Sequence, residues 1–258
     1  MPVIALTTAA GAPGCTTTAL GLALTWPGPT VLVEADPAGS TLASGYFRGT
    51  VDHRLGLLSL ALGADHHDLG AAILDQCRVL DDAADRRVLL GLPDPAQASA
   101  MQPWWDPIAD ALLRLDDAGY TVLVDVGRLT QASSPVPLVR AADAVLLVCR
   151  GTMTSAVRTR PVAVALRENL ERTGAGDTVG LAVIGSRDYA PNEVATALEL
   201  PLVLRLPEDA RLARVLSDGA VDRRFPTSAL ARAYRQGGGQ LRSLVEGRRA
   251  RVHREVAS

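Results

Sequence analysis

Between a short apolar run, Val3 to Thr7, and a longer one, Ala19 to Leu24, stands the segment Thr8-Ala9-Ala10-Gly11-Ala12-Pro13-Gly14-Cys15-Thr16-Thr17-Thr18. Strand, small-residue loop and helix start, in that order, make an anion cradle. Backbone N–H groups in such a loop converge on a phosphate, and the positive end of the helix dipole adds to the attraction. Gly11 and Gly14 allow close approach of the backbone, and the hydroxyls of Thr16 and Thr17 stand where they would meet a divalent cation and phosphate oxygens. On this reading Gly11, Ala12, Pro13, Gly14, Cys15, Thr16 and Thr17 form the binding loop. Cys15 has a second reading as a nucleophile, because a helix N-terminus depresses a thiol pKa. No histidine neighbours it in the sequence, and a small side chain filling the loop is the simpler account.

Such a loop needs a sheet and helices to hold it. Val3 to Thr7, Thr30 to Glu34, Val88 to Gly91, Thr121 to Asp125, Ala144 to Cys149, Val179 to Ile184 and Leu202 to Leu206 read as buried strands, rich in Val, Leu and Ile. Helices are expected over Thr16 to Leu24, Trp105 to Asp116, Ala156 to Arg172, Asn192 to Leu198 and Ser228 to about Val256. Continuous apolar strands alternating with helices predict a mostly parallel sheet covered on both faces. The expected architecture is three-layer α/β/α, with a twisted sheet of about seven or eight strands.

Other residues invite chemistry with less force. His53, His66 and His67, the last two between Asp65 and Asp68, read as a metal site or as a solvated loop, and neighbouring residues on a helix point in different directions. Trp104 and Trp105 read as partner anchors or as half-buried packing at a helix start. Seven arginines, Arg232, Arg235, Arg242, Arg248, Arg249, Arg251 and Arg254, are interleaved with Leu230, Leu241, Leu244 and Val245. They would make a basic amphipathic helix for a membrane surface or for DNA phosphates, or a solvated terminal helix. Gly237-Gly238-Gly239 is expected to break or loosen it.

Composition narrows the classes. The 258 residues carry a net charge of -2, which argues against disorder and against a whole-protein grip on nucleic acid. Three widely spaced cysteines, Cys15, Cys77 and Cys149, form neither a disulfide framework nor a zinc site. No apolar run reaches the roughly 20 residues that span a bilayer, and a cytoplasmic protein, at most peripheral to a membrane, is expected. All 26 basic residues are arginine; the chain contains no lysine.

The loop resembles the deviant Walker A motif of the ParA/MinD-like ATPases, K-G-G-x-G-K-T-T, which here reads A-G-A-P-G-C-T-T from Ala10 to Thr17. Gly11, Gly14, Thr16 and Thr17 are retained, while Ala10 and Cys15 replace the lysine projected across a dimer and the lysine that reaches the β- and γ-phosphates. Glu34-Ala35-Asp36-Pro37-Ala38-Gly39-Ser40 is similar to the family's D-x-D-P-x-G-N. Tyr120 to Gly127 resembles its Walker B-type strand, Ala141 to Val148 its A-D-x-V-L-V-V strand, and Leu206 to Leu212, with Gly219 beyond, its I-P-x-D-x-x-L segment. After the strand ending at Ile184, where many relatives place an asparagine that reads adenine, this chain has Gly185-Ser186-Arg187.

The resemblance implies a SIMIBI-type P-loop NTPase domain over residues 1–235, followed by an arginine-rich helix or tail over 236–258. It implies ATP and Mg2+ as ligands, Asp36 as the catalytic residue that orients the attacking water, Thr16 and Asp125 in the Mg2+ shell, and a homodimer. A fixed positive charge beside the transferred phosphoryl group stabilises the transition state by several kcal/mol, and a neutral Cys15 does not supply it. The expectation is therefore a positioning or scaffolding factor with little or no ATPase activity, similar to the TadZ/CpaE-like branch that localises Tad-type pilus and secretion assemblies. The alternatives are an active switch with a substitute basic residue and a partition-type, nonspecific DNA binder.

Overall fold

In the computed structural model, residues 2–9, 14–52, 55–63, 68–129, 133–172 and 174–256 are described. Eight strands, β1 (Val3–Thr8), β2 (Thr30–Glu34), β3 (Arg78–Asp81), β4 (Arg86–Leu89), β5 (Thr121–Arg128), β6 (Ala144–Arg150), β7 (Val179–Ile184) and β8 (Leu202–Leu206), form one sheet in the order β3-β4-β2-β5-β1-β6-β7-β8. All neighbours are parallel except β3, which pairs antiparallel with β4. Sequence reading omits β3, because Arg78-Val79-Leu80-Asp81 is short, partly exposed and carries charge at both ends. An edge strand needs only one apolar face and leaves a weak pattern.

Each central strand buries both faces by alternation. Val3 and Ala5 of β1, Val122, Val124 and Val126 of β5, and Val145 and Leu147 of β6 join one apolar cluster. Ile4 and Leu6, Leu123, and Leu146 and Val148 join the other. Side chains on a strand point alternately to the two faces, so a run with no polar member must be covered on both. The first face is covered by α3 (Leu57–Leu62), α4 (Leu69–Gln76), α5 (Trp105–Asp117), α6 (Val136–Arg140), α7 (Met153–Glu171) and α8 (Pro191–Leu198). The second is covered by α1 (Cys15–Thr25), α9 (Ala210–Ser217) and α10 (Ala229–Val256), with α2 (Thr41–Ser44) beside them. This is the three-layer α/β/α arrangement expected, with eight strands.

The glycine triad does not break α10, which runs from Ala229 to Val256 and crosses residue 235 without interruption. A Cβ on Gly237 would lie 2.0 Å from Leu204 Cδ1, and one on Gly238 would lie 3.1 Å from the Trp26 ring. Gly21 of α1 makes the matching allowance, since a Cβ there would stand 2.4 Å from the Tyr234 ring. The glycines let α10 settle closely on α1 and β8, and that burial offsets the roughly 1 kcal/mol each costs in a helix.

The arginine-rich end of α10 is tied inward. Arg249 bridges Asp116 and Asp143 at 2.6 Å each, and Arg248 pairs with Asp177 at 3.1 Å. Arg251 also meets Asp177, Arg242 meets Glu246, and Arg232 and Arg235 donate to the carbonyls of Thr227 and Pro226. These six arginines each meet a carboxylate or carbonyl of the protein itself; the Arg254 side chain lies outside the described residues. Asp143 also accepts from the Val3 N–H at 2.9 Å, so the end of α10 is fastened to the start of β1. Trp105 is buried in the core and Trp104 packs against it, which favours packing over partner anchoring. Among the described residues no helix is long and apolar enough to cross a membrane.

Candidate functional site

The site forms where β1, β2 and β5 end together. α1 opens at Gly14, whose φ of 100° lies in the left-handed region that glycine enters without strain. Its carbonyl accepts from Thr18 N at 2.8 Å, which starts the helix. Cys15 is buried, and Thr16 and Thr17 are half-buried in the first turn. Gly11, Ala12 and Pro13 lie outside the described residues, as do His53, His66 and His67. Asp68 is described, and it caps α4 by accepting from Ala71 N at 3.1 Å.

β5 brings Asp125 beside this turn. In the pairing of β1 with β5, Leu6 faces Asp125 and Thr7 faces Gly127, a register shift that carries Val126 past without a partner. Such bulges re-aim side chains at strand ends, and here β5 continues to Arg128 instead of stopping at Asp125. Asp125 is fully buried; its Oδ1 accepts from Gly127 N at 3.2 Å, and Oδ2 has no hydrogen-bond partner among the described residues. Burial, with a smaller contribution from the nearby charges of Glu34 and Asp36, raises its pKa to about 6 against the moderating Thr16 hydroxyl and Cys15 thiol.

Asp36 follows β2 and is seated by Gly127. A Cβ at Gly127, whose φ is +66°, would fall 2.0 Å from Asp36 Cγ, so only glycine admits the carboxylate. Asp36 Oδ1 accepts from Ala38 N at 2.8 Å. Burial raises its pKa, opposed by that hydrogen bond and by the exposed Arg128 guanidinium. Arg128, the residue flanking Gly127 in the Walker B-type segment, is a cation whose charge acts on this carboxylate.

Glu34, which resembles a conservative replacement, is a structural tie. Its buried carboxylate accepts from Ser40 Oγ at 2.5 Å, Thr41 N at 2.7 Å, Leu42 N at 3.0 Å and Gly91 N at 3.1 Å. It fastens the loop carrying Asp36 to the start of α2 and to the end of β4. Burial still raises its pKa, with those bonds opposing.

Cys15 therefore meets carboxylates where a lysine would have met them. Burial, then Asp125 and Asp36, push its thiol well above the usual range. A protonated, enclosed thiol is a poor nucleophile, which speaks against the second reading of Cys15. The donor set suits a hydrated Mg2+: such ions take one or two carboxylates plus phosphate oxygens and keep several waters. Thr16 and Asp125, whose Oδ2 has no hydrogen-bond partner among the described residues, fit that need, whereas the neutral Cys15 offers no charge to a phosphate.

Among solved structures the chain is similar to the cell-division ATPase MinD of Pyrococcus furiosus, at 20% identity and a TM-score of 0.70 over 94% of this chain and 99% of that one. It is also similar to a ParA family ATPase of Chlorobium tepidum, at 15% identity and 0.71 over 92% and 98%. The septum site-determining protein MinD of Pyrococcus horikoshii, solved with Mg-ADP, gives 18% and 0.63 over 94% and 96%. At these identities the likeness establishes the fold, that of the ParA/MinD-like P-loop proteins. No family model matches the chain, and no curated protein does.

Proposed function

We propose that this protein is a ParA/MinD-like positioning factor that holds a nucleoside phosphate with Mg2+ and turns it over slowly or not at all. The observation that carries the reading is the buried Asp125 carboxylate, which interacts with Thr16 at the head of α1 and whose Oδ2 has no hydrogen-bond partner among the described residues, while Cys15 replaces the fixed charge. A buried carboxylate that its hydrogen bonds do not fully compensate is costly to ionise, and a hydrated cation held beside it would offset that cost. The bound ion would supply charge to the phosphate oxygens. Asp125 and Thr16 would orient its water shell, Asp36 would orient water at the far phosphate, and Gly14 and the first turn of α1 would donate N–H groups. ATP is the nucleotide implied by the family resemblance. A homodimer, and recruitment of a Tad-type pilus or secretion assembly, rest on that same resemblance.

A second reading, an active switch, draws support from Arg128, whose guanidinium already acts on Asp36. It would be the substitute basic residue. Calorimetric titration with ATP and ADP, with and without Mg2+, beside a phosphate-release assay separates the readings. Mg2+-dependent binding with negligible release, and a gain of turnover in Cys15→Lys, are expected. Brisk native turnover that Arg128→Ala abolishes would select the switch, and absence of any binding would sink both.

A further inference from the structure

The helical layer over the first face of the sheet is not closed. Between α6 and α7 lies a groove of about 420 Å3 walled by Leu129, Val136, Val139, Val162, Leu166 and Leu170, with Arg140 and Asn169 as its polar members. Pro161 and Ala165 carry this surface onto the outer side of α7, where Met153, Val157 and Val164 are 52%, 62% and 45% exposed. Counted from Met153, the five α7 residues fall at i, i+4, i+8, i+11 and i+12, which sets them on one stripe of the helix. A helix side that meets only water carries polar residues, and a contiguous exposed apolar surface marks contact with another molecule. Two guanidiniums border it. Arg140 of α6 and Arg158, one turn before Val162 on α7, are exposed and make no ion pair among the described residues. The occupant that suits this groove is apolar and brings carboxylates.

The same face of the chain carries such a surface. On α5 the exposed residues Asp106, Asp110, Leu113 and Asp117 recur at i, i+4, i+7 and i+11, again one stripe, and Leu113 among the carboxylates is 38% exposed. None of these three aspartates is paired among the described residues, and α5 has one cation, Arg114. α5 packs on α6, and the groove separates α6 from α7, so the acidic and the basic apolar stripes lie on one side of the molecule with α6 between them. Asp106 to Asp117 and Met153 to Val164 also match in length, about 16 Å of helix each.

Two complementary patches side by side make a surface that fits its own copy. A two-fold axis along α6 lays α5 of each molecule against α7 of the other, so that every contact is made twice. We infer that this helical face is the interface of a homodimer, Leu113 of each protomer seating in the groove between α6 and α7 of the other, with Asp110 and Asp117 meeting Arg140 and Arg158 of the partner subunit. The interface lies on the helical layer, away from the strand ends where the phosphate cradle opens, and it forms without nucleotide.

Sedimentation velocity of the full chain, at low salt and without nucleotide, tests it. A dimer is expected that weakens as salt rises, because exposed charges are screened. Asp110→Arg/Asp117→Arg and Arg140→Asp/Arg158→Asp, all at exposed positions that leave the core untouched, are each expected to raise the dissociation constant at least about 10-fold, since like charges then face each other. Circular dichroism should show both variants folded. An equimolar mixture of the two is expected to restore the parent's dimer, because a reversed α5 meets a reversed α6–α7 groove across one contact while the other contact is native. A dimer that neither variant weakens, or that mixing does not restore, would overturn this interface. So would a parent protein that stays monomeric, or one that pairs only when nucleotide and Mg2+ are added.

Discussion

Asp125→Asn should make the ligand-free protein more stable, and only above mildly acidic pH. The carboxyl is raised from 3.8 to about 6 in the folded chain. At about 1.4 kcal/mol per pKa unit, holding it ionised costs roughly 3 kcal/mol. Because the folded pKa lies above the unfolded one, the native state binds the proton more tightly. The cost is therefore absent below about pH 4, grows between about pH 4 and 6, and is complete above that window. The amide keeps an oxygen for Gly127 N and sets its NH2 where Oδ2 has no partner. For a chain of this length the gain corresponds to roughly 6–12 °C in Tm. Thermal unfolding of parent and variant at about pH 4.5, 6 and 8 measures it: the difference should be small at the first and largest at the last. Mg2+ with nucleotide should then raise the parent and leave the variant unmoved. A variant less stable than the parent at pH 8, or a difference independent of pH, would refute the reasoning and make the carboxylate a structural cap.

Arg249→Met should destabilise the protein by about 1–3 kcal/mol in urea unfolding, less than for a fully enclosed pair because Arg249 keeps 40% exposure, by weakening the compensation of Asp116 and Asp143; an unchanged midpoint would show that the end of α10 is not fastened there. Native protein at pH 8 should take up iodoacetamide slowly at Cys15 and at Cys77 and Cys149, both pushed up to about 12 by burial, and rapidly once unfolded. Stoichiometric labelling of Cys15 within minutes in the native state would restore the reactive reading.

What the sequence determined by itself is local or periodic. Apolar runs of strand length alternating with helices announced β1, β2, β7 and β8 at or within a residue of their observed ends, because each is a short, nearly continuous run of apolar, largely β-branched or leucine side chains set between helical segments. The small-residue loop before an apolar run announced a helix start, expected at Thr16 and found at Cys15. The missing lysine at position 15 was visible by inspection. Only the tertiary structure decided the matters that depend on residues far apart in the chain. The role of Glu34 depends on Gly91, and the seat of Asp36 on Gly127. The glycine triad and the arginine-rich end of α10 carry the same local signals as a broken helix and a cationic tail. Their partners, Leu204 and Trp26 for the glycines and Asp116, Asp143 and Asp177 for the arginines, are brought near by the fold, and a charge or a missing side chain does not announce in sequence what will be packed against it.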